Sequence, residues 1–505
     1  MKCPDFTIYD MIVRNAGLYQ DKSALVYGGR RISFDDYKKL CDQCAAGLIQ
    51  EGVDVGDRIA VLSGNSDDFL ILCGAAAKVG LVIVPINYRL SEGEVEYILK
   101  DSAPKYLFSS KEYRELARKA SVSAGSIRKH YVFKTDTKDS DFIPFETLFM
   151  DAKSEQTDTV SGSHAYMIIH TAAVGGRPKG CLLSQANMLA VSLQMAQLSE
   201  FSNRDCHICT LPFFHIGGFS TTLAVMHQGG KNVIMDRFDP LALLELTVKE
   251  QGTFFVTFPP MLASILDVQD KQSFDIPSLR GVGGVDSPET IQRFLKKNPQ
   301  AVFYIVYGQT ECMPVSGCDV TRKPGSIGLP AIMTRVEIFD DRDREVPNGV
   351  KGEICVRSPA VFMGYWNLEA DTARTFRNGW HHTGDLGHID KEGFIWYGGR
   401  KPEKELIKPG GENVYPLEVE KVILDQGDVE TVSVIGVPDV QWGEAIKAVC
   451  VLKPGRSLEP QALIDFVASK IAHYKKPKYV VFVNSLPKTR EGEIDRDQVK
   501  KTYGG

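Results

Sequence analysis

Between Ala24 and Ser109 the chain alternates two patterns. Short β-rich runs (SALVY, RIAVLS, VIVPI, KYLFSS) are separated by helical patterns (SFDDYKKLCDQCAAGLIQ, SEGEVEYILKD), an order that predicts βαβ units around a largely parallel sheet. The longest apolar run, Phe69 to Ile86, is interrupted by Lys78 and carries Gly74 and Gly80. It predicts a buried helix passing into a buried strand, not a membrane span. Residues 110–160 are more polar and less periodic and predict helix and surface loop. Further on, NVIMD, LALLELTVKEQG, TFFVTFPPMLASIL and AVFYIVYG resume the alternation. From Gly325 to Tyr397 helical patterns thin out and turn signals multiply, as in a small antiparallel sheet.

A break falls near 399–405, where GRKPEKE packs glycine, proline and alternating charge together. Beyond it, three strand patterns (TVSVIGV, KAVCVLK, YVVFV) and two helical ones (PLEVEKVILD, PQALIDFVASKI) form a small α+β unit. The expected fold is α/β: a large N-terminal domain of α/β subdomains with a small antiparallel barrel-like part, residues 1–404, and a small C-terminal lid domain, residues 405–505.

Composition changes this picture little. The 505 residues are too many for one core, and 43% hydrophobic with 24% charged residues is ordinary for a soluble globular chain. A net charge of -5 gives no support for a nucleic-acid surface. The start, MKCPDFTIYD, lacks the apolar core of a signal peptide. Eleven cysteines include two CxxC pairs, Cys41 with Cys44 and Cys206 with Cys209. Four thiolates could bind zinc, but the apolar neighbours of each pair favour buried core thiols, hence a reducing cytoplasm.

Candidate chemistry centres on YMIIHTAAVGGRPKG, Tyr166 to Gly180. A strand runs into a turn of small residues and closes on Pro178, Lys179 and Gly180, which suits a phosphate: small side chains let backbone N–H groups approach and an ammonium adds charge. The GxxxxGK[ST] spacing of a Walker loop is absent. Ser184 is a plausible N-cap for a helix from about Gln185.

LPFFHIGG, RGVGG, YGQTE, GSIGLP, HTGDLGHID, GGR, KELIKPGGENVYPLEVE and LPKTREGEIDR together resemble, in order and spacing, the motifs of the adenylate-forming (AMP-binding) superfamily, in its acyl-CoA synthetase and fatty-acid–CoA ligase branch. GDRIAVLSGNS and VPINYRL add N-terminal support, so the similarity covers nearly the whole chain. The resemblance implies that the lid rotates about a hinge near Glu405. One orientation makes an acyl-AMP from a carboxylic acid and ATP, and the other presents it to coenzyme A.

It also implies the roles. Thr171, Gly175, Gly176 and Lys179 would hold phosphate. Glu311 would ligate Mg2+ and Thr310 would donate to phosphate, as a hard cation prefers carboxylate oxygen. Tyr307 would offer its ring to adenine beside Gly308, Gln309 and the backbone of Gly283 and Gly284. Asp385 and Arg400 would bind the ribose hydroxyls. His215 would sit by the carboxylate or acyl tunnel, and Gly410, Gly411 and Glu412 would form the coenzyme A loop. Trp442, Gly443 and Glu444 match a family pattern whose role is packing of the small domain.

The chain departs from the family in three places. Its phosphate loop keeps one hydroxyl, Thr171, before Ala172, Ala173 and Val174, and each lost hydrogen bond to phosphate removes roughly 1.5–3 kcal/mol. Where the family places a lysine that contacts carboxylate and α-phosphate, this chain has Glu493. Loss of such a stabiliser costs about 3–4 kcal/mol, and reversed charge more. Two extra residues lie between Arg400 and Lys404, Pro402 among them. The expected function is therefore ATP-dependent acyl-CoA synthesis from a carboxylic acid, with a fatty acid as the leading candidate and adenylation weakened unless Lys488 or Arg490 substitutes.

The alternatives are an adenylating ligase with another acceptor and a degenerate paralogue that binds nucleotide or acyl ligands to regulate a partner. The chain stops at Gly505 directly after the small domain, which argues against a modular peptide synthetase. A long-chain acid would add peripheral membrane contact.

Overall fold

The structure, a computed structural model, describes residues 5–134, 141–151, 160–171, 177–401, 405–439, 442–489 and 492–504. Two large sheets carry the N-terminal part. The first has eight strands, in the spatial order Gly364–Tyr365, Lys179–Ser184, Ala165–Thr171, Val82–Pro85, Arg58–Leu62, Tyr106–Ser110, Lys129–Phe133 and Ile143–Pro144. Its centre is parallel, as the alternating pattern predicts, and its first two pairings are antiparallel. The nine-stranded second sheet runs Leu329–Pro330, Cys312–Asp319, Val302–Gln309, Gly281–Gly284, Phe254–Thr257, Cys206–Cys209, Lys231–Ile234, Ser23–Tyr27 and Arg30–Ser33.

The largest core draws side chains from both sheets, among them Ile83, Phe108 and Met167 from the first and Leu25 and Ile234 from the second. The helices Phe34–Gln50 and Asp67–Val79 contribute Cys41, Cys44, Leu48, Ile71 and Leu72 to it. The run from Phe69 to Ile86 thus becomes most of the buried helix Asp67–Val79 and the buried strand Val82–Pro85, with Gly80 in the left-handed region as the helix C-cap. Cys41, Cys44, Cys206 and Cys209 are all buried and free, as core thiols should be, and burial raises the thiol pKa of each.

Two elements were not foreseen. Within residues 110–160 the strand Lys129–Phe133 adds to the first sheet. After the phosphate-loop candidate, Lys179–Ser184 is a strand paired antiparallel with Ala165–Thr171, so the loop joins a hairpin and does not open a helix. The helix Gln185–Leu198 follows, capped by Ser184, whose hydroxyl accepts from Asn187 N while Asn187 Oδ1 accepts from Ser184 N.

Beyond these sheets lies the expected antiparallel one, of five strands: Arg335–Phe339, Gly352–Arg357, Trp380–Ile389, Phe376–Arg377 and Ile395–Arg400. The small C-terminal part has its own core of Val419, Ile423, Val434, Ile446, Leu463 and Val467. There the hairpin Val429–Asp439/Gly443–Leu452 pairs with Tyr479–Phe482. Its last helix, Arg496–Tyr503, is capped by Asp495, a signal the sequence reading passed over. No helix among the described residues is long and apolar enough to cross a membrane.

Within the antiparallel sheet a buried ionic cluster holds Lys401, at the edge of the undescribed residues 402–404, to Glu353 on the strand Gly352–Arg357. Glu353, 4% exposed, accepts from Lys401 Nζ at 2.9 Å and lies 3.0 Å from His382 Nδ1. Burial works against the Glu353 carboxylate, but His382 and Lys401 outweigh it and hold the pKa at about 2 against an ordinary 4.5. A depressed carboxyl stabilises the fold above its unfolded pKa and loses that contribution as pH falls through the folded value. The contribution is about 3 kcal/mol. Urea unfolding should therefore show Glu353→Gln as less stable than the parent at pH 7, with the gap closing between about pH 4.5 and 2. A gap independent of pH would assign the loss to packing instead.

Candidate active site

The strand Val302–Gln309 turns into Cys312–Asp319 through Thr310 and Glu311 alone, since Gln309 pairs directly with Cys312. This two-residue turn presents Glu311 at the end of the second sheet. Its Oε1 accepts a hydrogen bond from Tyr365 Oη at 2.7 Å, and Oε2 has no protein partner among the described residues. The Lys179 ammonium lies 5.2 Å from the same tyrosine ring and pairs with Asp371 at 2.8 Å. Lys179 and Thr171 face each other across the hairpin. Gly175 and Gly176 lie outside the described residues, as do the departures at Ala172, Ala173 and Val174.

On the same strand Val302–Gln309, Tyr307 and Gln309 both reach Asp385, each donating to Oδ2 at 2.7 Å. Arg400 Nε lies 3.1 Å from Asp385 Oδ1. Asp385 and Arg400 are register partners in the antiparallel sheet, so their meeting follows from the pairing of HTGDLG with YGGR. Tyr307, Gly308, Asp385 and Arg400 line one wall of a cleft of about 870 Å³, and Thr489, Ile494 and Asp495 of the small lobe stand on its other side. Burial, then the Asp385 charge, pushes the Tyr307 phenol well above its usual range, so it remains a donor.

Gly283 and Gly284 form the adjoining strand end, but their lack of side chains has a local cause. A Cβ on Gly284, at φ +143°, would lie 1.9 Å from the carbonyl oxygen of Thr257, and one on Gly283 would press on the Phe254 ring at 3.1 Å. Close strand packing demands these glycines, whatever else the backbone there contacts.

His215 caps the helix Ile216–His227, with its ring 4.5 Å from that of Phe214. The loop before it is bracketed by Asn65, whose amide donates to Leu211 O at 2.9 Å and accepts from Phe213 N at 2.8 Å. The small lobe brings Glu412 onto this histidine: Glu412 Oε1 is 3.4 Å from His215 Nε2 and is ion-paired with Arg89. Asn87 Nδ2 approaches the other oxygen at 3.5 Å. Burial alone would raise the Glu412 carboxyl, yet His215 and Arg89 hold it down at about 2. Gly410, at φ +59°, lets this loop lie against Trp442: a Cβ there would meet the indole at 2.9 Å, and the Gly410 N–H donates to Trp442 O at 3.0 Å.

The lobes therefore meet with Glu412 against His215 and Gly411 beside Phe258. The Glu493 side chain is exposed, on a turn where its carbonyl accepts from Thr489 N at 2.7 Å. Lys488 is also exposed, and Arg490 lies outside the described residues. Tyr365, Arg89, Asn87 and Tyr415 were missed by sequence reasoning. Arg89 and Asn87 lie in VPINYRL, a stretch that signalled kinship without assigning them work. Tyr415 joins the site beside Arg400, Glu311 and Asp385, its phenol pushed up to about 12, chiefly by burial.

Residues 12–366 match the model of the AMP-binding enzyme family, and 418–493 that of the AMP-binding enzyme C-terminal domain. The chain belongs to the AMP-binding enzyme family, in its acid–CoA ligase branch. It is 32% identical to an indoleacetate–CoA ligase of Aromatoleum aromaticum, over 97% of each chain. It is 31% identical to a long-chain-fatty-acid–CoA ligase of Mycobacterium tuberculosis, over 94% of this chain and 93% of that one. Among solved structures, a double mutant of o-succinylbenzoate CoA synthetase from Bacillus subtilis, bound with its product analogue, superposes with a TM-score of 0.84. It is 26% identical, with 100% of this chain and 99% of that one covered.

Proposed function

We propose that the protein joins a fatty or similarly apolar carboxylic acid to coenzyme A through an acyl-AMP, in two half-reactions separated by a swivel of residues 405–505 against 1–404. The observation that carries this is the gathering of Tyr307, Asp385 and Arg400 on one cleft wall while the Gly410–Glu412 loop closes over His215 from the other lobe. Tyr307 and Gly308 would receive adenine, and Asp385 and Arg400 the ribose hydroxyls. Lys179 and Thr310 would hold phosphate oxygens once Asp371 yields the ammonium. Glu311 fits a magnesium ion, because Oε2 faces no protein donor among the described residues and a single carboxylate suffices for a cation that keeps its waters and the substrate's phosphates. The metal would neutralise charge on the triphosphate.

The chemistry explains the two steps. Hydroxide is a poor leaving group, so the acid's carboxylate first displaces pyrophosphate from ATP. The thiol then displaces AMP, a good leaving group. In the second step Glu412, kept ionised by Arg89 and His215, orients the His215 ring beside the reacting carbonyl. The expected assay result is acid-dependent AMP release that requires coenzyme A, with acyl-CoA as product. AMP release without any thioester would overturn the assignment of the acceptor.

Met313 would set the size of the acid. Its methyl lies 4.0 Å from the position a Cβ on Gly217 would take, its Sδ is 4.0 Å from Ser220 Oγ, and its Cγ would touch a Cβ on Gly308 at 3.1 Å. It thus fills the space between the His215 helix and the nucleotide wall. Met313→Gly should shift the preferred acid to a bulkier one, raising its kcat/KM about tenfold, as expected for a few methylene-sized contacts. An unchanged profile over acids of graded length would remove Met313 from the pocket.

A second reading is favoured by Glu493 alone: a weakened paralogue that binds nucleotide or acyl ligands to regulate a partner. Tight AMP binding without turnover over a broad acid panel would select it.

A further inference from the structure

Away from the cleft, the seam between the lobes contains a fully buried lysine that the proposed chemistry does not use. Lys475 is 2% exposed. Its ammonium lies 2.6 Å from Glu94 Oε1, on the large lobe, and also pairs with Glu418 of the small lobe. Glu94 is already engaged in its own lobe, where Oε2 accepts from the Ser91 amide and hydroxyl at 2.8 and 2.7 Å and caps the helix Glu92–Ser102. The same Oε2 takes a further hydrogen bond across the seam, from Ala472 N at 3.0 Å. One carboxylate therefore holds two donors of the other lobe. Burial opposes the Lys475 charge, but Glu418 and Glu94 keep its pKa above the ordinary lysine range.

This arrangement is specific to one lid orientation. Glu418 and Lys475 both belong to the small lobe and would travel together in a swivel, whereas Glu94 stays behind. A buried ion pair adds little over an apolar contact of the same shape, but a buried charge stripped of one partner is costly. Such a pair selects one arrangement of two bodies more than it strengthens it. We infer that Lys475 is a positioning residue for thioester formation: bridging Glu94 and Glu418, it holds the lid in the orientation that places Gly410–Glu412 over His215. The inference rests on the two-step reading above.

The test uses Glu94→Gln, which leaves the Lys475–Glu418 pair and the small-lobe core intact and keeps an oxygen for the Ser91 cap. Two half-reactions are measured on the full chain: acid-dependent exchange of pyrophosphate into ATP, and acyl transfer from supplied acyl-AMP to coenzyme A. Expected is a loss of about tenfold or more in acyl transfer with exchange unchanged or faster, because only one lid orientation loses a partner. A merely structural role would lower both rates together and reduce Tm.

Spin labels at exposed positions of the two lobes, Val122 and Leu424, give a readout free of catalysis. Their distance distribution should broaden in Glu94→Gln and be narrow in the parent. Equal distributions with equal acyl-transfer rates would overturn the inference. A parent that transfers no acyl group at all, yet shows the narrow distribution and its loss in the variant, would instead sink the two-step reading and leave the latch standing.

Discussion

Glu493→Lys should speed formation of the acyl-adenylate by about a hundredfold or more and leave acyl transfer to coenzyme A unchanged, since a misplaced stabiliser of this kind costs about 3–4 kcal/mol. The reasoning is electrostatic. In the adenylating orientation the side chain at 493 would face the acid's carboxylate and the α-phosphate, two anions between which charge moves. A carboxylate there opposes the reaction and an ammonium assists it. The orientation seen here leaves the Glu493 side chain exposed, where water screens its charge during the thioester step. Acid-dependent pyrophosphate exchange measured beside acyl transfer from supplied acyl-AMP decides the matter. Parent exchange already as fast as parent acyl transfer would falsify the idea of a handicapped first step. If alanine at both Lys488 and Arg490 lowers exchange, a substitute cation is at work.

Asp385→Ala carries the second large expectation, a loss of about a hundredfold or more in AMP affinity. The carboxylate is 1% exposed and accepts from Tyr307 and Gln309 while facing Arg400. On the proposed reading it also receives both ribose hydroxyls. Hydrogen bonds to a charged acceptor contribute about 1.5–3 kcal/mol each, so losing two exceeds the hundredfold figure even at the lower bound. Removing it also leaves the Arg400 guanidinium without its partner, so thermal unfolding is measured alongside. Calorimetry showing near-parent AMP affinity in a folded variant would move the nucleotide away from this wall.

Much of this was legible in the chain itself, and for a local reason. The alternation from Ala24 to Ser109 reflects the two periods of side-chain burial, so it gave the parallel core and the helix-to-strand reading of Phe69 to Ile86. Ser184 announced its helix because capping is settled within three residues. Asp385 and Arg400, although fifteen positions apart, meet through hairpin register, a nearly local event. The hairpin strand Lys179–Ser184 escaped because its turn signals also fit a loop entering a helix, and only pairing with Ala165–Thr171 separates the two.

What the tertiary structure alone decided is which distant groups share a charge. Tyr365 reaches Glu311 across 54 positions, Arg89 reaches Glu412 across 323, and Lys475 reaches Glu94 across 381. No periodicity or turn rule links such residues, because each contact exists only once sheets have stacked and the lobes have met. The same holds for Glu493. Its identity is plain in the sequence, whereas its distance from the anions it would repel depends on where the small lobe comes to rest.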